Sequence, residues 1–272
     1  MSEQVKIEVG ELTVSASPHI RCDESIDKIM WTVNLALAPA AIFAVVTFGM
    51  PALFTMLMSI VAAVVTEYLI LKWQGKPIVV KDGSAVLTGL LLAMCVPATL
   101  PWYMTVAGAV VAIAIAKHTM GGLGHNIFNP AHVGRAFLLA SWPVAMTTWP
   151  TPTWMAGKVD SVTSATPLGI LKMQGYDALV HSFGSQMDMY KALFFGTRAG
   201  SLGETSTLLL VLGGLYLIYR RYINWQVPVF MIGTVGVLTW VLGGRAGLLT
   251  GDPLLHMMSG GWIIAAFFMA TD

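Results

Sequence analysis

The residues best suited to chemistry in this chain form a short hydroxyl-rich string. It reads Lys-Val-Asp-Ser-Val-Thr-Ser-Ala-Thr-Pro-Leu-Gly over residues 158–169 and follows a stretch rich in Pro, Trp and Thr at 147–154. Thr163, Ser164 and Thr166 are its candidate hydroxyls. Small polar residues also make up ordinary turn-rich loops, and by composition alone a loop is the simpler interpretation.

Two ionisable residues fall inside or beside apolar segments. Glu67 lies in one such segment, about one turn before Lys72, and Arg135 lies near the start of another. Ionisable groups inside a membrane are costly and are functional candidates by default. Each also has a simpler interpretation: Glu67 pairs with Lys72 at the interface, and Arg135 extends its charged end to the water.

Histidine and cysteine do not predict a metal site. His118, His125 and His132 recur every seven residues, but a glycine-rich break at 121–124 separates them. Zinc or iron sites usually have more ligands at tighter spacing. Cys22 and Cys95 stand alone, so we expect no cysteine-ligated iron–sulfur cluster held within this chain.

The composition indicates a membrane protein. Of 272 residues, 56% are hydrophobic and 11% charged, against about 45–50% and about 25% in soluble domains. Two cysteines exclude a disulfide scaffold, and 15 basic against 14 acidic residues argue against nucleic-acid binding.

We therefore expect an all-α polytopic membrane protein with about eight transmembrane helices. A bilayer core needs about 20 mostly apolar residues per helix. The predicted segments are 29–48, 51–71, 84–99, 102–116, 131–147, 205–219, 226–243 and 257–270. The third is short and ends at Pro97 and Pro101, which predicts either a tight outer turn or a helix break inside the protein. Residues 1–28 carry six acids and no long apolar run, so we expect a cytoplasmic arm rather than a signal peptide.

Lys and Arg predict the orientation. With a cytoplasmic N-terminus, nine lie on the cytoplasmic side (Lys6, Arg21, Lys28, Lys72, Lys76, Lys81, Lys117, Arg220, Arg221). Five lie outside (Lys158, Lys172, Lys191, Arg198, Arg245). This places the loop at 148–204, which holds the hydroxyl-rich string, on the outer side.

The segments divide into two halves. Residues 82–102 and 256–272 both run from small polar residues into an apolar core. The first repeat would span 29–147 with five helices, and a second, inverted repeat would span 205–272 with three. A 5+5-like inverted repeat is a recurrent membrane design. It leads us to expect about two further helices beyond this sequence.

The hydroxyl-rich string and several other strings together resemble one family of membrane subunits. Asp160-Ser-Val-Thr163-Ser164-Ala165-Thr166 resembles the D-x-x-[ST]-[SG]-A-T signature of flavin attachment. Three further strings resemble family motifs in the expected order: the asparagine-rich string at 124–137, Gly-Glu-Thr-Ser at 203–206, and residues 260–272. The family comprises the D subunits of Rnf complexes and the B subunits of the sodium-translocating NADH:quinone oxidoreductase. The Ser-Pro-His-Ile string at 17–20 favours the Rnf type.

The resemblance implies a covalent cofactor and a set of partners. FMN would be linked through a phosphoester to Thr166, installed by a flavin transferase, and a second, non-covalent flavin such as riboflavin is a family-level expectation. The complex would move electrons between ferredoxin and NAD, coupled to Na⁺ or H⁺ movement across a prokaryotic inner membrane. The implied neighbours are an outer-facing FMN subunit, a cytoplasmic NAD-side subunit and the lipid bilayer.

The other candidate site residues each keep a structural alternative. Asp160 either aids recognition by the transferase or forms a turn, and Thr163 and Ser164 are the alternative hydroxyls beside Ala165 and Thr166. Three residues would contact the flavin or a partner, although an Asn-Pro pair is also a helix start (Asn126, Asn129, Arg135). Three more open the sixth segment, where they would bind the flavin or cap a helix (Glu204, Thr205, Ser206).

Two other functions fit the same skeleton. An inverted-repeat transporter or channel would move a small solute and hold no flavin. A purely structural scaffold for redox subunits would tolerate Thr166→Ala. A transporter has no use for Thr166 in its Asp-x-x-Thr-Ser-Ala-Thr context.

Overall fold

The computed structural model describes residues 24–152, 165–204, 206–243 and 247–271, and these residues fold into helices joined by short connections. The helices are α1 Ile26–Phe48, α2 Met50–Trp73, α3 Ser84–Met94, α4 Trp102–Val111, α5 Pro130–Ser141, α6 Pro143–Thr147, α7 Pro167–Gln174, α8 Tyr176–Phe183, α9 Gln186–Phe195, α10 Thr207–Tyr219, α11 Gln226–Leu242, α12 Pro253–Met258 and α13 Trp262–Ile264. Two π-helical stretches continue α4 and α13, over Ala112–His118 and Ala265–Met269.

Helices α1 and α2 are long and apolar enough to cross a bilayer. Ser25 begins α1 by accepting a hydrogen bond from the Lys28 amide, and Gly49 separates the two helices with a φ of 74°. The first two predicted segments are therefore confirmed. Four shorter apolar helical stretches match the third, fourth, sixth and seventh predicted segments, over Ser84–Met94, Trp102–His118, Thr207–Tyr219 and Gln226–Leu242.

The third predicted segment is interrupted inside the protein. Helix α3 ends at Met94 instead of residue 99, and the chain continues through a buried, non-helical stretch toward Pro101. Neighbouring elements bind the freed carbonyl groups: the Thr55 hydroxyl donates to the Ala98 carbonyl at 2.9 Å, and the Leu202 amide to that of Val96 at 3.4 Å. Because other parts of the chain satisfy these groups, the break is stable away from water.

The fifth and eighth predicted segments are interrupted as well. Pro143 has no amide hydrogen, so α5 ends at Ser141 and α6 begins at Pro143. The eighth segment splits into α12 and α13 at Ser259–Gly261, where Gly260 has a φ of 71°. Helix breaks thus occur in both 82–102 and 256–272. The inverted repeat itself stays a prediction.

The predicted outer loop at 148–204 contains helices α7, α8 and α9. They form a small second core, separate from the main one, in which Leu179, Met189 and Leu193 pack with Leu255 of α12. We call these three helices the outer module. It connects the hydroxyl-rich string to the second half of the chain.

The main core joins the two halves. Helices α3 and α4 pack on α2, α4 packs on α5, and α1 packs on α10. At the crossing of α4 and α5, a Cβ atom at Gly134 would lie 2.7 Å from the Gly108 carbonyl oxygen, so a side chain there would push the helices apart. This contact fixes the start of α5, where Asn129 and Arg135 lie.

Candidate functional site

A cavity of about 860 Å³ lies where the interrupted helices meet, and we call it the large cavity. This volume is within the range of sites that bind small molecules and cofactors. Its wall comes from the end of α3, the start of α5, the start of α7 and the break between α12 and α13. Five of the predicted site residues line it (Asn126, Asn129, Arg135, Thr166, Glu204).

Thr166 lies at the wall of the large cavity and begins helix α7. Its hydroxyl oxygen accepts a hydrogen bond from the Gly169 amide at 3.2 Å, and Pro167 occupies the first helical position. The side chain is partly exposed, and Ala165 beside it is exposed. The other three residues predicted in this string, Asp160, Thr163 and Ser164, lie outside the described residues.

The asparagine-rich string forms one side of the large cavity. Asn129 begins α5 because its side-chain oxygen accepts from the amides of Ala131 and His132. The interpretation of Asn129 as a helix start is therefore confirmed, and Asn129 also lines the large cavity. The Arg135 guanidinium lies over the break between α12 and α13, with Nη1 3.9 Å from the place of a Cβ atom on Gly261. No ion pair to Arg135 is present among the described residues.

The Gly-Glu-Thr-Ser string contributes one residue to the cavity wall. Glu204 ends a short 3₁₀ turn and lines the cavity. Ser206 instead begins α10, where its hydroxyl accepts from the Leu209 amide at 3.3 Å, so the cap predicted for Glu204 is supplied by Ser206. Thr205 lies outside the described residues.

Arg198, predicted in an outer loop, is buried behind this wall with 4% of its surface exposed. Its Nη2 donates to the Met258 carbonyl at 2.8 Å and to the Glu204 carbonyl at 3.3 Å. Its Nε and Nη1 have no hydrogen-bond partner within the described part of the chain. Nothing in the local sequence indicates this burial, because the residue lies in the connection before the sixth predicted segment and not inside an apolar run.

Several cavity-lining residues were not singled out in the sequence as candidate ligand contacts (Cys95, His132, Trp149, Ser259, Trp262). The Gly-Gly pair at 260–261 was a usable signal for the helix break, and it lies in a string that resembles the family. Ser259 is fully buried, and its hydroxyl has no partner among the residues that the structure describes.

A buried ion pair lies near the large cavity. Glu67 and Lys117 are 3% and 2% exposed, and Lys117 Nζ is 2.7 Å from Glu67 Oε1. Lys117 also donates to the Ser84 hydroxyl at 2.7 Å, and His118 Nε2 lies 3.4 Å from Glu67 Oε1. The predicted pairing of Glu67 with Lys72 is wrong, because the Lys72 ammonium lies over the Tyr68 ring, 6.0 Å from its centre. Because Glu67 is buried this deeply, it does not form an ion pair at the membrane interface.

A second polar network fastens the outer module to α12. Asp252 Oδ2 accepts hydrogen bonds from the hydroxyls of Tyr176 at 3.0 Å and Tyr190 at 2.6 Å. Gln186 donates to both hydroxyls, and Asp252 Oδ1 caps α12 through the Leu255 amide. Burial and these contacts raise the pKa of the Tyr176 hydroxyl above its ordinary value.

The fold and the cavity define a helical membrane protein with a cofactor-sized site, lined by polar and apolar residues, between interrupted helices. The chain belongs to the NQR2, RnfD, RnfE family, whose model matches residues 13–272. Three of its relatives are D subunits of such complexes. One is the D subunit of the proton-translocating ferredoxin:NAD(+) oxidoreductase complex of Clostridium ljungdahlii, which is 63% identical over 99% of this chain and 81% of its own length.

Two more distant relatives carry related names. The D subunit of the Na(+)-translocating ferredoxin:NAD(+) oxidoreductase complex of Acetobacterium woodii is 44% identical over 96% of this chain and 77% of its own length. The D subunit of the ion-translocating oxidoreductase complex of Rhodobacter capsulatus is 39% identical over 94% and 77%. The Rnf resemblance is thereby confirmed, and the alternative of a small-solute transporter has no support among these relatives.

Proposed function

We propose that this protein is the membrane electron-transfer D subunit of an Rnf-type ion-translocating ferredoxin:NAD oxidoreductase, with FMN linked through a phosphoester to Thr166. The single observation that carries the proposal is that Thr166, in its attachment-type string, lies on the wall of a cofactor-sized cavity. Bound FMN would supply one- and two-electron redox chemistry.

The surroundings of Thr166 fit a phosphoester. Its oxygen lies at the N-terminus of α7, where the Gly169 amide donates to it and the positive end of the helix dipole favours an anion. Phosphorylation of the hydroxyl oxygen would place the phosphate at this end of the helix. Partial exposure of Thr166 would leave the side chain within reach of a transferase.

The other predicted residues fit the ring system of a flavin. Asn126 and Asn129 offer side-chain amides for the polar edge of the ring, and Arg135 offers a cation with no ion-pair partner in the described part of the chain. Glu204 offers an acceptor in the wall of the same cavity. We assign Asp160, Thr163, Ser164 and Thr205 roles in transferase recognition or flavin contact from the resemblance alone.

The proposed setting follows from the relatives and the charge distribution. The chain would lie in a prokaryotic inner membrane with its N-terminus cytoplasmic and residues 148–204 outside. Its partners would be the outer-facing FMN subunit, the cytoplasmic NAD-side subunit and, during maturation, the flavin transferase. A non-covalent riboflavin is a further proposal.

The test is in-gel flavin fluorescence of the denatured chain, co-expressed with an active flavin transferase. The wild type should give a fluorescent band that survives SDS, and Thr166→Ala should give none. Ser161→Ala is the matched control, because it removes a hydroxyl of the same string at a position that the signature leaves open, and it should keep the band. A dark wild-type band, with the transferase active on another substrate, would refute the flavin assignment.

A further inference from the structure

A second, small cavity lies beside the large one. Its volume is about 30 Å³, and its polar lining residues are Ser84, Thr88, Lys117, Asn126 and Asn129. A buried water needs about 10–15 Å³ of such space and two to four polar partners, so this cavity can hold one or two water molecules.

The two cavities share a wall. Asn126 and Asn129 line both, while Lys117 and Ser84 line only the small one. The small cavity therefore lies between the buried Lys117 ammonium and the site proposed for the flavin. Lysine carries three N–H bonds, of which Glu67 and Ser84 accept two, so the third remains for a water in the small cavity.

Ionisable groups continue on the far side of Lys117. Glu67 Oε1 binds Lys117 and lies close to His118, while Glu67 Oε2 has no hydrogen-bond partner among the described residues. Asp82 accepts from the Ser84 hydroxyl at 2.8 Å. These groups, with Lys76 near His118, are the charged and titratable neighbours of the pair.

We propose that Lys117 is the proton donor for the large cavity, acting through water in the small cavity. When the group held in the large cavity is reduced by a one-electron donor, an N–H bond of Lys117 would break and a water O–H bond would form. That water would pass one of its other protons to the reduced group. Lys117 then regains a proton by way of Glu67 Oε1, which lies beside both Lys117 and a protonated His118, and His118 takes a replacement proton from water outside. One proton thus crosses from the His118 side and neutralises one added electron. This relay rests on the proposed flavin site.

Two variants separate a relay from a structural role. Lys117→Arg keeps the charge and the ion pair, but a guanidinium does not release its proton in proteins. The double variant Lys117→Met with Glu67→Leu replaces the buried pair with apolar side chains, which buried ion pairs often tolerate. Ser59→Ala is the control: Ser59 lies on α2 with Glu67, is equally buried, and donates to the Gly89 carbonyl away from Lys117.

The experiment uses the full chain with its covalent flavin in detergent, reduced by a small excess of reduced methyl viologen, which releases no protons. Stopped flow follows flavin bleaching and, with a pH dye, proton uptake. In the wild type and Ser59→Ala, uptake should keep pace with bleaching and slow in D₂O. Both Lys117→Arg and the double variant lose the positioned acid, so their rate of proton uptake should fall about 100-fold. The rate of flavin bleaching by the first electron should stay unchanged.

The outcomes are distinct. If Lys117→Arg takes up protons at the wild-type rate, the relay is overturned and Lys117 is a structural residue. If Lys117→Arg fails to fold, as judged by gel filtration, wild-type uptake in the double variant overturns it equally. Absence of the SDS-resistant fluorescent band would refute the proposed function, and the relay with it, whereas a bright band with wild-type uptake refutes the relay alone.

Discussion

Asp252 holds the outer module in place, and Asp252→Asn should release it. Asparagine caps helices as well as aspartate does, so its oxygen would still accept from the Leu255 amide. Its amide nitrogen, however, would replace the oxygen that accepts from Tyr176 and Tyr190, and an amide N–H cannot accept a hydrogen bond. The substitution therefore removes the charged acceptor of both phenol hydroxyls and keeps the cap.

The magnitude follows from the contacts. A hydrogen bond to a charged group contributes about 1.5–3 kcal/mol, and the lower value applies because the tyrosines are only partly buried. Two such bonds give a loss of about 3 kcal/mol. For a chain of this size the melting temperature should fall by about 6 °C.

The assay can use the buried thiol of Cys95, which becomes reactive when the chain unfolds. Heating a Cys22→Ser background in detergent with a maleimide dye reports the transition. Asp177→Asn is the matched control, because Asp177 is exposed on α8 of the same module, and it should change stability by less than about 0.5 kcal/mol. In the Tyr176→Phe/Tyr190→Phe background, Asp252→Asn should have little further effect. A melting temperature unchanged by Asp252→Asn would refute the reasoning.

Three further predictions concern stability in detergent, measured by the same thermal assay. Lys117→Met alone leaves Glu67 buried without its ammonium partner and should cost about 3–5 kcal/mol, whereas adding Glu67→Leu should recover most of the loss. Equal melting temperatures of the two variants would contradict this. Gly134→Leu should prevent α5 from packing on α4, giving aggregated protein on gel filtration, whereas Ala140→Leu on the exposed face of α5 should not. Because the pKa of Tyr176 is raised, its contribution to stability stays constant below pH 10.0, the ordinary pKa of tyrosine, and is lost as the pH rises further. Tyr176→Phe should remove part of this loss of stability at high pH.

The sequence predicted the long helices well and the interrupted ones only in part. Helices α1 and α2 are continuous apolar runs, so their bounds follow from hydropathy alone. The break after Met94 is signalled by Pro97, but its depth depends on Thr55 and Leu202, which lie far away in the chain and bind the freed carbonyl groups. Local sequence does not contain that information.

The site residues, too, could be predicted from the sequence only in part. Motif resemblance identified Thr166, Asn126, Asn129, Arg135 and Glu204, and the fold brings them to one cavity. Sequence proximity, in contrast, paired Glu67 with Lys72, five residues away, whereas the true partner Lys117 is 50 residues away. Partners of buried charges are set by helix packing, here of α4 on α2, which no local pattern reports.

The charges around the large cavity favour electron uptake by an occupant. Among the described residues, Arg135 and Glu204 line the cavity and Arg198 lies buried directly behind Glu204, a balance of two positive charges against one negative. Low-dielectric surroundings strengthen the effect of each charge compared with water. A phosphoester at Thr166 would bring this balance to neutral before any electron arrives, so each electron added to the ring would need a compensating cation. Lys117 is a titratable source across the shared wall, so proton uptake, and not only potential, is the property that separates the proposed relay from a passive cavity.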